Sequence, residues 1–342
     1  MSGNASPDRL GRRPLKGWLK RHWFLVSLVL VVLSGFSGWG PLQQASTWRW
    51  LQNSIVFGVM FLMALPIEAR AFGRTIRRPW APVLAIAISY LFQPLASWPL
   101  AQLLPTELGN GLMVAAIVPC TLASAAVWTR RAEGNDAVAL VVTVVTNGGC
   151  FLIAPLWLWL LLGQGESDPG RWLALVPKLG LLVVAPMALA QLCRGSARIA
   201  AGSTRHKIAL STAAQLGILA MVLLGTAQIS TRISGTLSAQ AIPVGIAMIG
   251  TVLGLHVTSL VLGWKLAARW KLPAPDAAAV AIAGSQKTLM VGLSLAMDLG
   301  SSILPLVTYH VALFVDTWIA DRWLRPFVKQ HADLETPREP EA

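Results

Sequence analysis

Apolar runs of about twenty residues recur along the chain, each closed by a short polar or helix-breaking segment. A helix rises about 1.5 Å per residue, so roughly 20 mostly apolar residues cross the hydrocarbon core of a bilayer. That ruler predicts ten spans, at roughly 23–40, 51–69, 81–104, 111–129, 137–162, 172–193, 208–229, 241–264, 275–299 and 302–324. Gly40-Pro41, Arg77-Arg78-Pro79, Gly163 to Gly170, Arg194 to Lys207 and Lys271 to Pro275 separate them. The breaks at Glu133 to Asp136 and at Gly300 are short. The first apolar run follows Arg9, Arg12, Arg13, Lys16, Lys20 and Arg21, as in a signal peptide. It lacks a clean small-x-small cleavage site and further spans follow, so it reads as the first span.

The polar positions between spans carry an orientation. With the N-terminus placed in the cytoplasm, the inside segments collect 23 of the 28 basic residues. The outside holds Arg49, Arg171, Arg232 and Lys178, and Lys287 lies inside a span. This is the asymmetry of the positive-inside rule, and nine or eleven spans would spoil it. Both termini are expected in the cytoplasm, and the membrane is expected to be a bacterial inner or plasma membrane.

Composition narrows the class. Hydrophobic residues make up 55% of the 342 and charged residues 13%, where a soluble domain carries about 25% charged. The 15 Trp against 2 Tyr suit membrane interfaces. A soluble enzyme, a disordered tail protein and a secreted disulfide scaffold do not fit. The net charge of +13 is assigned to cytoplasmic loops and not to a nucleic-acid partner. Cys120, Cys150 and Cys193 form no CxxC or His/Cys cluster and read as small apolar residues.

Ten spans divide into five and five. Because five is odd, the second half sits upside down relative to the first, the sequence signature of an inverted repeat. The expected organisation is a basic cytoplasmic N-terminus at 1–22, a first five-helix repeat at 23–162, its inverted partner at 163–324, and a cytoplasmic tail at 325–342, disordered from about 330. In such folds matching helices of the two halves are often broken near the midplane.

Spans four and nine are the interrupted ones. Span four contains Pro119-Cys120-Thr121-Leu122-Ala123-Ser124. Proline removes a backbone donor, and Thr121 and Ser124 bring oxygens beside the gap. After the turn at Gly134-Asn135, span five carries Thr143 and Asn147 four residues apart, on one helix face. Hard oxygen ligands suit a small cation; the same hydroxyls also serve simply to pack helices closely. Span nine holds Gly284-Ser285-Gln286-Lys287-Thr288 in an apolar stretch. A charge at that depth costs roughly 2.5–3.5 kcal/mol unless paired or solvated. Asp316 in span ten is the other deep charge, either a partner for Lys287 or a solvated group near the cytoplasmic end. His256 and His310 read as packed, hydrogen-bonded side chains, and Gln93-Pro94 as a kink in span three.

These segments resemble the bile acid:sodium symporter superfamily, in its divergent SBF-like branch. TLASAAVWTRRAEGN from Thr121 to Asn135, GSQKTLMVG from Gly284 to Gly292, and Tyr309-His310 carry the likeness, with topology agreeing over roughly 20–325. The resemblance implies ten helices in two bundles. Spans 1, 2, 6 and 7 would form a panel, and spans 3, 4, 5, 8, 9 and 10 a core in which helices four and nine cross at their breaks. In sodium-coupled members two sodium ions sit beside the crossing. Their ligands include a Ser-Asn pair on helix four, Ser and Thr on helix five, and Glu plus Gln-Asn on helix nine. Here the Ser-Asn pair falls on Ala125-Ala126, with Ser124 just before. The helix-five Ser becomes Ala139 while Thr143 is kept. The Glu becomes Ile282, Gln286 is kept and the Asn becomes Lys287. Losing a carboxylate and gaining an ammonium repels a monovalent cation, so sodium as a cofactor is disfavoured, and no other is called for.

The expectation is therefore an all-α membrane carrier, not an enzyme, that moves a small organic anion by alternating access, with coupling to protons or to nothing. The ion- or substrate-binding residues would be Thr121, Ser124, Asn135, Thr143, Asn147, Ser285, Gln286, Lys287 and Thr288. Lys287 would hold the anion directly or exchange a proton. Oligomeric state is not legible in the sequence. The competing class is a membrane-embedded regulatory or scaffold protein with a degenerate transport site. A membrane enzyme has no HExxH or GxSxG motif to support it.

Overall fold

The structure, a computed structural model, describes residues 13–68, 79–122, 124–163, 170–233 and 241–335. Among these there is helix and no strand. The helices are α1 Arg13–Gly35, α2 Gly40–Ala45, α3 Arg49–Ala64, α4 Trp80–Ala101, α5 Thr106–Ile117, α6 Ser124–Arg131, α7 Asp136–Leu162 and, after a single turn at Gly170–Leu173, α8 Leu175–Arg194. They continue with α9 Ala197–Arg205, α10 Lys207–Ile233, α11 Ala241–Arg269, α12 Ala274–Ser285, α13 Leu289–Leu299, α14 Leu304–Val311, α15 Leu313–Ile319 and α16 Arg325–Glu335. Six stretches among the described residues are long and apolar enough to cross a membrane, lying in α4, α7, α8, α10, α11 and the α12–α13 pair.

The described part of each apolar run falls mostly on helix, and two short helices, α2 and α9, lie between runs. The brief breaks are real. Glu133 has φ 59° and Gly300 φ 66°, each a left-handed residue just past a helix end. One expectation fails: the tail assigned to disorder from about 330 is helical through Glu335, in α16. Arg9, Arg12, Arg70, Arg74, Arg77, Arg78 and the tail residues from Thr336 on lie outside the described residues.

Three helical stretches among the described residues contain a π turn, and each turn runs directly into an X-Pro pair. Ile88–Phe92 precedes Gln93-Pro94, Gly180–Val184 precedes Ala185-Pro186, and Ala320–Leu324 precedes Arg325-Pro326. A proline ring collides with the carbonyl four residues back and offers it no N–H. One extra residue in the turn relieves the collision without ending the helix. The N–H groups of Gln93, Ala185 and Arg325 each reach back five residues, to Ile88 O, Gly180 O and Ala320 O.

The helices pack as two groups. α1 and α3 gather against α10, with α8 beside α3, while α12 sits among α4, α6, α7 and α11. The spanning stretch over α12–α13 is wholly buried, whereas every other one is less than half buried; it is the centre of the molecule. α5 meets α14 and the turn before it at Gly111, where a Cβ would stand 2.2 Å from Ser302 O. The Ser302 N–H donates to Glu107 O there, at 3.0 Å.

Candidate functional site

The site is made by two interrupted helices that meet. After α5 the chain turns extended at Val118 (φ −67°, ψ 156°) and restarts as α6 at Ser124. After α12 it is extended at Gln286 (ψ 144°) and at Thr288 (ψ 133°), then restarts as α13. The two breaks touch: Thr288 N–H donates to Pro119 O at 2.8 Å. Each break strands carbonyls that have no helical partner, and in a buried setting each needs a donor.

Neighbouring helices supply those donors. Asn147 Nδ2 donates to Cys120 O at 2.8 Å, and Thr143 Oγ1 to Thr121 O at 3.0 Å. The Cys120 N–H donates to Thr146 Oγ1 at 3.2 Å. Thr143 and Asn147 thus share a face of α7, as their spacing requires, and that face holds the first break. Gln93 Nε2 donates to Gly284 O at 2.7 Å and to Ser285 O at 3.3 Å, and Gln93 Oε1 accepts from Tyr309 Oη at 3.1 Å. Lys287 Nζ donates to Val118 O at 3.0 Å, to Ser89 O at 2.6 Å and to Ser89 Oγ at 3.1 Å. Three ammonium protons therefore meet three acceptors.

The π turn explains why Ser89 is available. Because Gln93 N–H bonds to Ile88 O, Ser89 O is left to Lys287. Because Pro94 has no N–H, Tyr90 O takes Trp157 Nε1 instead, at 2.8 Å. Tyr90 in turn donates its hydroxyl to Thr146 O.

A second network runs from the breaks into the protein. Ser124 Oγ lies 2.6 Å from Thr121 Oγ1, and the two hydroxyls lie 3.1 and 3.2 Å from Gln286 Oε1. Gln286 Nε2 donates to Asp316 Oδ2 at 2.7 Å. Asp316 Oδ1 is 2.6 Å from His256 Nε2, and His256 Nδ1 faces Ser285 O at 3.3 Å. Asp316 is 2% exposed and Lys287 3% exposed, yet they do not pair with each other. Separate networks stand in place of a Lys287–Asp316 ion pair, one of the two readings open for Asp316, because Lys287 reaches α4 while Asp316 reaches α11 and Gln286. Nor is Asp316 solvated near a helix end.

The structure brings Thr121, Ser124, Thr143, Asn147, Ser285, Gln286, Lys287 and Thr288 together at the two breaks. Ser285 Oγ there bonds back to Ile282 O at 3.1 Å. Asn135 is elsewhere: it caps α7 by accepting from Ala137 N–H and donates to Asp276 Oδ1 at 2.8 Å. At the positions where the resemblance loses polar ligands, Ala125, Ala139 and Ile282 are buried among apolar neighbours.

A cleft of about 450 Å³ reaches this crossing from one end of the molecule. Leu62 and Met63 of α3 and Ser211 and Ile218 of α10 line one wall. Thr121, Ser124, Thr288 and Leu289 line its floor, and Arg130, Asp136, Glu68 and Lys207 its mouth. Thr288 is 4% exposed, and its side chain makes no capping bond to α13. His310 also lines the cleft, edge-on to Phe24 with ring centroids 6.3 Å apart. Lys287 is not on the cleft wall, so direct capture of an anion by its ammonium is not the arrangement seen.

Tyr309, of the Tyr309-His310 pair, bonds Gln93, and His256 is packed and hydrogen-bonded as read from the sequence, whereas Ser89, Tyr90 and Trp157 enter as partners of the crossing that the sequence did not single out. The one signal for them was Gln93-Pro94, the mark of the π turn that frees Ser89 O and Tyr90 O.

A profile of the SBF-like CPA transporter family matches residues 22–325. The chain is 28% identical over 289 residues to a probable chloroplastic sodium/metabolite cotransporter, BASS4, of Arabidopsis thaliana, covering 78% of this chain and 65% of that protein. It is 25% identical over 188 residues to sodium/bile acid cotransporter 7 of Danio rerio, covering 52% of this chain and 54% of that one. It is 27% identical over 325 residues to an uncharacterised protein of Pseudomonas aeruginosa, covering 90% and 94%. The match spans less than two thirds of the length of the first two of these curated relatives. Six long apolar stretches among the described residues and a profile match over most of the length make this an integral membrane protein, and the chain belongs to the SBF-like CPA transporter family, a family of carriers and not of enzymes.

Proposed function

We propose that the protein is a secondary carrier that moves a small organic anion across a lipid bilayer by alternating access, without sodium. The observation that carries this reading is the meeting of two broken helices at the floor of a cleft that opens at one end. In this reading the ten apolar runs are ten spans in two inverted five-helix repeats. The group of α1, α3, α8 and α10 is the panel, and the group around α12 is the core. The positive N-terminal ends of α6 and α13 face the floor, where they favour an anionic group. Thr288, Ser124 and Thr121 offer it hydroxyls, and Lys207 and Arg130 draw it to the mouth. The apolar walls suit a hydrocarbon body.

Sodium independence rests on Lys287. Its ammonium takes the oxygens of Val118 and Ser89 that would otherwise be free for a cation. A tethered positive charge excludes a mobile one from the same oxygens.

The test is uptake of a panel of labelled organic anions into liposomes, with sodium, with potassium, and across a pH gradient. Uptake is expected to be equal in sodium and potassium. The pH arm separates coupling to protons from flow down the substrate's own gradient. Lys287→Gln is expected to lower uptake about tenfold, the effect of losing roughly 1.4 kcal/mol of support. Uptake that requires sodium would overturn the role given to Lys287.

A further inference from the structure

Among the described residues, the end of the molecule opposite the cleft is shut around α10. α10 carries Lys207 at the cleft mouth and Gly225 at a distance of about 27 Å along the helix. At Gly225 a Cβ would stand 3.0 Å from Ile303 Cδ1 and 3.5 Å from Met297 Sδ, and the void there is about 10 Å³. α13 connects the two ends. It starts at the cleft floor with Leu289 and reaches the shut end with Met297 and Asp298.

Asp298 accepts from two cations. Arg49 Nη1 is 2.9 Å from its Oδ1, and Lys178 Nζ bonds its Oδ2. The carboxylate is 11% exposed, while Arg49 is 70% exposed. Arg49 belongs to α3 and Lys178 to α8, which pack together, whereas Asp298 belongs to the crossing helix α13. Both bonds therefore bridge from one helix group to the crossing, at the end that is closed.

We propose that Asp298, Arg49 and Lys178 form a latch that holds the shut end closed and biases the protein toward the cleft-open state. This rests on the alternating-access reading: rocking one group against the other must part α13 from α3 and α8 at this end and break both pairs. A carboxylate shared by two cations of the facing wall has two discrete arrangements, made or broken, as a gate does. Gly225 completes the closure by letting Ile303 and Met297 lie close against α10.

The test uses the full chain in proteoliposomes, with Cys120, Cys150 and Cys193 replaced by alanine and Ile303→Cys as reporter in the seal. A membrane-impermeant maleimide is applied from the shut side. Asp298→Asn is expected to raise the labelling rate roughly three- to tenfold, the range for losing two partly exposed ion pairs. The Arg49→Gln, Lys178→Gln double variant is expected to do the same. Labelling of the reporter protein with its latch intact should also rise in 1 M KCl, where the screening length falls to about 3 Å; this arm does not depend on a latch variant folding. Rates unchanged in all three arms overturn the latch. Labelling and uptake are separate readouts. Unchanged labelling in a protein that carries anions sinks the latch alone. Increased labelling in one that carries none of the panel supports the latch and counts against carriage.

Discussion

Lys287 shows how one side chain settles a helix break. Val118 O lies at the C-terminal end of α5, where the helix dipole is negative, so an ammonium there is favoured by charge as well as by hydrogen bonding. Ser89 supplies the other two acceptors from α4. Lys287→Met keeps most of the length and removes the donors, leaving two buried carbonyls and a hydroxyl to find others. The expected cost is about 1–3 kcal/mol, read as a lower unfolding midpoint in detergent. An unshifted midpoint would mean that other donors replace the ammonium at no cost. The deep position of Lys287 was legible in the sequence, because a charge in an apolar run declares itself. Its partners were not, because two of the three are main-chain carbonyls and every residue carries one.

At the scale of the element, the π turns decide which carbonyls are free. Gln93-Pro94 was readable as a kink, but a kink alone does not say which neighbour gains a bond. Pro94 denies an N–H to Tyr90 O, and Trp157 of α7 reaches it through the indole. A thermodynamic cycle tests this dependence. Trp157→Phe is expected to destabilise the protein by about 1 kcal/mol. In a Pro94→Ala background the helix can bond Tyr90 O itself, so the same substitution should cost less, with a coupling of about 0.5 kcal/mol or more by denaturation in detergent. Equal costs in both backgrounds would mean that Trp157 acts by packing and not by capping. Helix identity and the two breaks were legible because apolar length, Pro119 and the polar run from Gly284 to Thr288 are local signals. The meeting of the breaks, the His256–Asp316 pair and the place of Asn135 depend on which helices touch. Asn135 looked like a ligand from its neighbours in sequence, but its own partner, Asp276, comes from the start of α12.

At the scale of the whole molecule, charge says which way the cleft faces. Around its mouth and the helix ends beside it, Arg130 pairs with Asp136, Arg131 with Asp321, Arg194 with Glu68, and Arg325 and Lys329 with Glu133. Arg325 holds the Glu133 carboxyl below the usual carboxylate range by donating into it, so that group stays charged at neutral pH. At the shut end the paired cations are Arg49 and Lys178, both on Asp298. Basic residues near span ends are retained on the cytoplasmic side, so the cleft is expected to open to the cytoplasm and the latch to face out. Cysteine labelling checks this in the cysteine-free background. Ser211→Cys, on the cleft wall, should react with an impermeant maleimide in inverted vesicles and stay unlabelled in intact cells. Leu103→Cys, 81% exposed and next to the start of α5, should do the reverse. The exchange of those two patterns would turn the molecule over. The latch would then close the cytoplasmic end, and an anion would enter the observed cleft from outside.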